Sequence, residues 1–513
     1  MKYAWLGKMK TMQLKRIISM FLVIVMLGSS FALLACSETP DGKAATDDAN
    51  PSNTDAAETE PAELTRAQTP DSLPADLDFG GMTFNILCRT KNWFAGEMTV
   101  EELNGEVVND AVYDRNLSVS DRLKVELNYI KVDDVTGAAN TSITAGSDDY
   151  QMVVGSAVDI VQYGARGQYY NLLDSTYVPY LDLDQPWWAH HYTEQASVGG
   201  KCFFATGDLA LSLTQLAFVT YFNKKLVEDM GLEDPYQLVR DGKWTIDKQK
   251  EMTEMVYVDL NGNAKADKED QFGFGISNMI SYDVYWSAFD MTLFSRDPEG
   301  LPYVDTNIDK FQTAVDKIYS LFRETEGTYY VNQYGADQEQ DDLAKKFAAN
   351  ELMFTTLRIM ACDILRDMDA DYGIIPVPKW DESQDEYYTF VHDQYSVFGI
   401  PKSSPIPNEI SAVLEAMAAE NYRYVIPAYY DVVLNGKYLR DVESSEMLEI
   451  SMKNVKIDFS WIYTYNLGGV AQNLFRYLMQ GGSKDFTSKY AATEKALNAQ
   501  LNAMLKAYNK LDS

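Results

Sequence analysis

Met82-Thr83-Phe84-Asn85-Ile86-Leu87 alternates side chains, the period-two pattern of a strand. Working outward, Glu106 to Leu123 carries Val108, Ala111, Val112, Val119 and Leu123 at helical spacing, and Lys124 to Val132 alternates again through Val125, Leu127 and Tyr129. Gly137 to Asp148 reads as helix and Tyr150 to Val154 as a short apolar strand. Strand-helix-strand succession of this kind predicts parallel units with right-handed crossovers, hence an α/β chain. A second α/β stretch begins near Gly207. Leu216 to Phe222 is a strand candidate, and Asn223 to Met230 is a short helix stopped by Gly231. Thr245 is placed to cap a helix from Ile246 to Tyr257. Asp309 to Phe322 and Asp341 to Ala349 are helical by pattern. Ile374-Ile375-Pro376-Val377-Pro378 must be extended, because each proline fixes its own φ and restrains the residue before it. Thr487 to Leu511 places Leu497, Leu501, Met504, Leu505 and Tyr508 on one stripe, an amphipathic helix docked on a larger body.

Ahead of this body lie two segments of other character. Lys8, Lys10, Lys15 and Arg16 lead into the apolar run Ile17 to Leu27, which ends at Leu33-Leu34-Ala35-Cys36. Those are the charged, apolar and small-residue regions of a secretory signal, 1–35, with Cys36 placed for lipidation at the new N-terminus. The run Ile17 to Leu34 is marginally long enough to span a bilayer, but Gly28-Ser29-Ser30 and the cysteine favour cleavage. Ser37 to Asp78 is acidic and rich in Ala, Thr, Asp, Glu and Pro, too poor in apolar residues to offset chain entropy. Residues 36–78 are therefore expected to form a lipidated, disordered tether, whose 42 residues after the cysteine reach about 140 Å when stretched. This places the protein on the extracellular face of the cell membrane.

The remainder, from Phe79, is too long for one core and predicts two lobes. Loss of the leader removes five positive charges, taking the net charge from −32 to −37. So negative a surface repels phosphate backbones and anionic ligands, which argues against nucleic acid as a partner. The cysteines are Cys36, Cys88, Cys202 and Cys362, with no CxxC spacing, so zinc clusters and a disulfide framework are excluded and at most one disulfide can form.

The ordered set of short pieces Gly81-Met82-Thr83-Phe84, Pro186-Trp187-Trp188, Gly200-Lys201-Cys202-Phe203-Phe204-Ala205-Thr206-Gly207-Asp208, Tyr221-Phe222-Asn223-Lys224, Gly231-Leu232-Glu233-Asp234-Pro235-Tyr236, Gly242-Lys243-Trp244-Thr245 and Tyr372-Gly373-Ile374-Ile375-Pro376-Val377-Pro378-Lys379, behind a lipobox and an acidic tether, resembles the extracellular solute-binding lipoproteins that feed carbohydrate ABC importers (extracellular solute-binding protein family one). The resemblance implies a two-lobed periplasmic-binding-protein-like fold of type II, its lobes joined by crossing hinge segments. Lobe one would comprise 79–208 plus 371–420 and lobe two 209–370 plus 421–513. It further implies a monomer that traps a sugar or oligosaccharide between the lobes and delivers it to ABC permease subunits. The competing expectations are a surface-anchored glycan-binding protein, or a glycoside hydrolase, not coupled to a permease.

Two local signals bear on sites. Asp259-Leu260-Asn261-Gly262-Asn263-Ala264-Lys265-Ala266-Asp267-Lys268-Glu269-Asp270 sets oxygen-bearing side chains at positions 1, 3, 5, 9 and 12 of a twelve-residue loop, with the Lys265 carbonyl at 7. Ca²⁺, a hard cation, needs such spacing from one tightly wound loop. The loop departs from the EF-hand pattern at Ala264, where glycine is usual, and at Asp270, where the longer Glu is usual. A structural Ca²⁺ held by Asp259, Asn261, Asn263, Lys265, Asp267 and Asp270 is the expectation, with no other cofactor.

The second signal is aromatic: 34 Tyr and 8 Trp, with acids close by. Sugar rings offer apolar C–H faces and hydroxyls, so ring platforms beside carboxylates suit them. Candidates on turns after strands, where open α/β sheets bind ligands, are Trp93, Asp159, Tyr163, Asp208, Trp286, Arg358, Asp393, Tyr395 and Trp461, with Phe94, Asp290 and Tyr463 beside them. Trp187-Trp188 reads as structural. No catalytic residues are expected: only His190, His191 and His392 exist, and no nucleophile elbow, P-loop or dinucleotide fingerprint occurs.

Overall fold

The computed structural model describes residues 65–511, apart from 92–93, 279, 336–338, 367 and 432–441. The signal sequence and Cys36 lie outside the described residues. In chain order the strands are β1 (Met82–Arg89), β2 (Val125–Val132), β3 (Met152–Ser156), β4 (Phe218–Asn223), β5 (Phe272–Ile276), β6 (Phe294–Arg296), β7 (Pro302–Val304), β8 (Thr328–Tyr330), β9 (Leu352–Arg358), β10 (Tyr372–Ile375) and β11 (Ser396–Gly399). They form a four-stranded sheet of order β11-β3-β1-β2, a five-stranded sheet of order β10-β4-β9-β5-β8, and the hairpin β6-β7.

In the first sheet β1 runs parallel to β2 and β3, and β11 is antiparallel to β3. The helices Val107–Leu123 and Val135–Ala145 complete the expected crossovers, the second packing on β1 and β3. In the second sheet β5 is parallel to β8 and β9, while β4 is antiparallel to β9 and to β10. Local chemistry sets the helix starts and stops. Asn223 accepts from the Leu226 amide at 3.1 Å, Gly231 takes a left-handed φ of 64° after the helix Lys224–Asp229, and Thr245 accepts from the Lys248 amide at 3.2 Å. The C-terminal helix Phe486–Tyr508 buries Leu497, Leu501, Met504 and Tyr508 of its stripe, with Leu505 half-buried; Phe486 stacks on Phe311 of the helix Ile308–Tyr319, and Tyr508 packs on Phe203.

The chain changes sheet between β3 and β4, and again between β10 and β11. Those two crossings touch: Ala217 bridges Val391 antiparallel, with the Phe218 amide donating to the Phe390 carbonyl at 3.0 Å and the His392 amide to the Leu216 carbonyl at 3.1 Å. A third segment joins them in parallel, where the Thr389 amide donates to Asn454 at 3.0 Å and the Lys456 amide to Thr389 at 2.9 Å. The division implied by the resemblance therefore shifts. Residues 371–375 belong with the second sheet, because β10 pairs with β4, and the backbone ladder between the crossings sits at 216–218, 389–392 and 454–456.

The last part of the expected tether is instead ordered. Residues 65–78 lie on the body, with Leu73 buried and Asp71 bonded by Arg122 (2.7 Å from both guanidinium nitrogens) and by Arg423 (3.0 Å). Specific ion pairs hold a segment that hydrophobic burial alone would not. Trp187 and Trp188 are structural, as expected: their indole N–H groups donate to the two carboxylate oxygens of buried Glu415 at 3.0 and 2.9 Å. Gly207 lies so close beneath them that a Cβ there would meet the Trp187 carbonyl at 2.1 Å. Cys88, Cys202 and Cys362 are free and buried.

Candidate functional site

The parallel strands of both sheets end towards the crossings. Arg89 closes β1, Ser156 closes β3 opposite Ser396 of β11, and Arg358 closes β9 opposite Phe218. Open α/β sheets bind ligands at such carboxyl ends. There a cavity of about 500 Å³ opens, lined by Arg89, Lys91, Asp133, Asp159, Tyr163, Gln394 and Tyr465 among others. Arg89 is fixed rather than free: it donates to the Gln394 carbonyl at 2.8 Å and to Ser396 at 2.6 Å, and its guanidinium lies 3.4 Å from the Phe94 ring centroid. Tyr163 carries the Arg166 guanidinium 4.2 Å above its ring.

Tyr465 is an aromatic surface of this cleft and is 56% exposed. Burial first, then the charges of Asp159 and Asp393 and the neighbouring Tyr477, raises the Tyr465 hydroxyl. Asp159 and Tyr465 share the cleft wall, and Asp393 lines a small pocket with Ala157 and Val158. Burial pushes the Asp393 carboxyl up to about 6 against the pull of Arg476. Burial, reinforced by Arg358 and Arg476, pushes His392 down to about 3, so it is a neutral imidazole at neutral pH. Arg476 is anchored by Asp283, its Nε lying 3.0 and 2.9 Å from the two carboxylate oxygens. The result is a polar floor with fixed cations and a rim of rings and acids, suited to a hydroxyl-rich ligand.

Of the sequence candidates, the structure brings Asp159 and Tyr163 together in the cleft, while Asp393 lines a small pocket with Tyr395 and Trp461 and Arg358 closes β9. It does not gather the others. Trp93 lies outside the described residues. Trp286 is fully buried, edge-on to Phe311, Trp461 and Phe475, because every residue of its helix Val284–Ala288 faces the interior. Trp461 and Tyr395 are likewise core, Tyr395 packing edge-on to Tyr192 at 6.0 Å. Tyr463 is buried with its hydroxyl 2.8 Å from that of Tyr508. Phe94 is buried under Arg89, and Asp290 pairs with Lys456. Asp208 pairs with Arg66 and borders a different cavity of about 720 Å³, which shares no lining residue with the cleft. Arg89 and Asp133 could have been found by applying the strand-end rule to β1 and β2. Tyr465 carried no local signal, since it comes from a turn far along the chain.

In the loop 259–270 the Asp259 carboxylate accepts from the Gly262 and Ala264 amides, both at 2.7 Å, and Asn261 and Asn263 accept from the amides two residues on at 3.0 and 2.8 Å. Ala264 adopts the left-handed φ of 58° that a glycine would normally supply at position 6. Asp270, fully buried, accepts from Leu260 at 3.1 Å and Asp267 at 3.0 Å. The backbone winding fits a cation loop. Among the described residues, however, no three His, Cys, Asp or Glu side chains converge on one point.

No family model and no curated protein matches the chain. Solved structures do. An ABC substrate-binding protein of Listeria monocytogenes in complex with cycloalternan aligns over 84% of this chain and 99% of its own, at 12% identity and a TM-score of 0.50. A cyclo/maltodextrin-binding protein complexed with maltotetraose aligns over 85% and 100%, at 10% identity and 0.51. A sugar transporter protein of Rhizobium etli in an open conformation aligns over 84% and 100%, at 11% identity and 0.52. The chain has their two-lobed α/β fold.

Proposed function

We propose that this chain is the substrate-binding protein of a carbohydrate ABC importer, lipid-anchored through Cys36 on the extracellular face of the membrane, and that it captures an oligosaccharide in the cleft over the crossings. The observation that carries the reading is the cleft itself. Tyr163 and the exposed Tyr465 line it beside Asp133 and Asp159, at the carboxyl ends of β1, β2 and β3. Rings would stack on sugar C–H faces while the acids and amides take hydroxyls. Closure of the two halves would bury the ligand and present one shape to permease subunits. That the similar structures carry cycloalternan and maltotetraose supports the ligand class. The reading is of a binding protein and not an enzyme, as the similar solved structures are binding proteins. The loop 259–270 is proposed as a structural Ca²⁺ site, with Asp259, Asn261, Asn263, Asp267, Asp270 and the Lys265 carbonyl as ligands, pinning the connection between the helix Ile246–Glu254 and β5.

Thermal denaturation against a panel of α- and β-linked oligosaccharides, maltotetraose included, tests the function. A ligand at a hundred times its Kd stabilises by about 2.7 kcal/mol. No shift with any neutral glycan would overturn the reading. Release of reducing sugar during the assay would favour a glycoside hydrolase instead.

A further inference from the structure

The N-terminal strap, Thr65 to Leu73, meets the body at one chemically specific point. The Arg66 guanidinium lies 4.1 Å above the Tyr422 ring, donates from Nε to the Tyr422 carbonyl at 3.2 Å, and pairs through Nη2 with Asp208. A planar fork stacked on a ring and bonded at its edge is recognition that lysine cannot reproduce. Asp208 is itself held to this corner, because the Asn421 amide group donates to its carbonyl at 2.9 Å. Tyr422 and Asn421 belong to the π-helical turn Asn421–Val425, and such turns are frequent at functional positions. Arg423 of the same turn reaches back to the strap, donating to the Thr69 carbonyl at 3.0 Å.

That turn feeds the helix Ile426–Tyr430, after which the chain passes to the helix Val442–Lys453 packed on β10 of the second sheet. Arg66, Asp208 and Tyr422 form part of the wall of the 720 Å³ cavity, and Leu448, Met452 and Val455 form another part. The cavity is thus bounded by residues from both halves, and the strap grips the turn through which the chain leaves the first half. We propose that the corner of Asp208 and Tyr422 is a guanidinium-binding site occupied by the chain's own Arg66, and that its occupancy sets the resting angle between the two sheet-bearing halves. A conformational equilibrium shifts only by the differential interaction of a group with its two states, and this site borders the space that must change shape when the halves rotate.

The test uses the full chain with Cys36→Ala, spin-labelled at Leu117→Cys and Met255→Cys, which are exposed on the first and second halves; the native Cys88, Cys202 and Cys362 are buried. Pulsed electron resonance measures the distance distribution without any sugar, so the result stands apart from the proposed ligand. Arg66→Ala should shift or broaden the distribution by more than ~2 Å. Ethylguanidinium should restore it and ethylammonium should not, and Arg66→Lys should behave as the alanine variant does. A distribution unchanged by Arg66→Ala would overturn the proposal. So would a change that ethylguanidinium fails to reverse, or that ethylammonium reverses equally.

Discussion

Ala217 and Val391 face each other across an antiparallel bridge, and each lies on a segment that carries the chain from one sheet to the other. Crossings bonded to one another can bend together while holding the halves in register, which is what a hinge requires.

Amide exchange should reflect this. The Phe218 and His392 amides, which donate across that bridge, should exchange slowly with and without sugar. The amides of Asp133, Asp134 and Thr136 at the cleft should slow only when maltotetraose or another stabilising glycan is added. Hydrogen exchange with mass spectrometry reads both; fast exchange at 218 and 392 in the free protein would mean the crossings do not act as a unit.

Tyr465→Ala should weaken glycan binding by about tenfold or more, in line with loss of an aromatic anchor. Asp159→Asn should weaken it in the same direction. Because Tyr465 is 56% exposed, its loss should change unfolding free energy by no more than about 0.5 kcal/mol. Calorimetric titration beside a urea melt separates the two effects.

Asp283 is buried against Arg476, so Asp283→Ala leaves an uncompensated cation and should cost about 3–5 kcal/mol. Replacing both, Asp283→Leu with Arg476→Leu, should recover much of that stability while glycan affinity stays low. Paired urea melts check the cycle.

Burial pushes the Glu415 carboxyl up to about 7 from 4.5, despite the two indole donors. The folded state therefore holds the proton more tightly than the unfolded chain. This group's stabilising share is complete below pH 4.5 and is lost as pH rises through 7, by up to about 3 kcal/mol. Glu415→Gln should flatten that part of the stability–pH curve, measured by denaturant melts between pH 4.5 and 8.

Calcium titration of chelator-treated protein should show one site, with a rise in melting temperature that Asp259→Ala abolishes. A chelator without effect on melting, and no binding by calorimetry, would remove calcium from the account.

The strands β1 to β4, the helix starts at Asn223 and Thr245, and the C-terminal amphipathic stripe were legible because they rest on short-range rules of alternation, capping and helical spacing, whereas β5 to β9 and β11 were not read. Strand-end positions led to Asp159 and Tyr163 for the same reason. Trp286, Trp461 and Tyr395 were misread as platforms, since a ring's local sequence does not say whether another element covers it.

By itself the sequence determined an α/β chain of two sheet-bearing halves, since periodicity acts over a few residues. Only the tertiary structure decided that residues 65–78 are strapped down by Asp71 and Arg66, that β10 joins the second sheet, and that Tyr465 shares a cleft with Asp159 and Tyr163. Those relationships join positions dozens to hundreds of residues apart, and distances of that kind are fixed by packing and ion pairing, which no local pattern encodes.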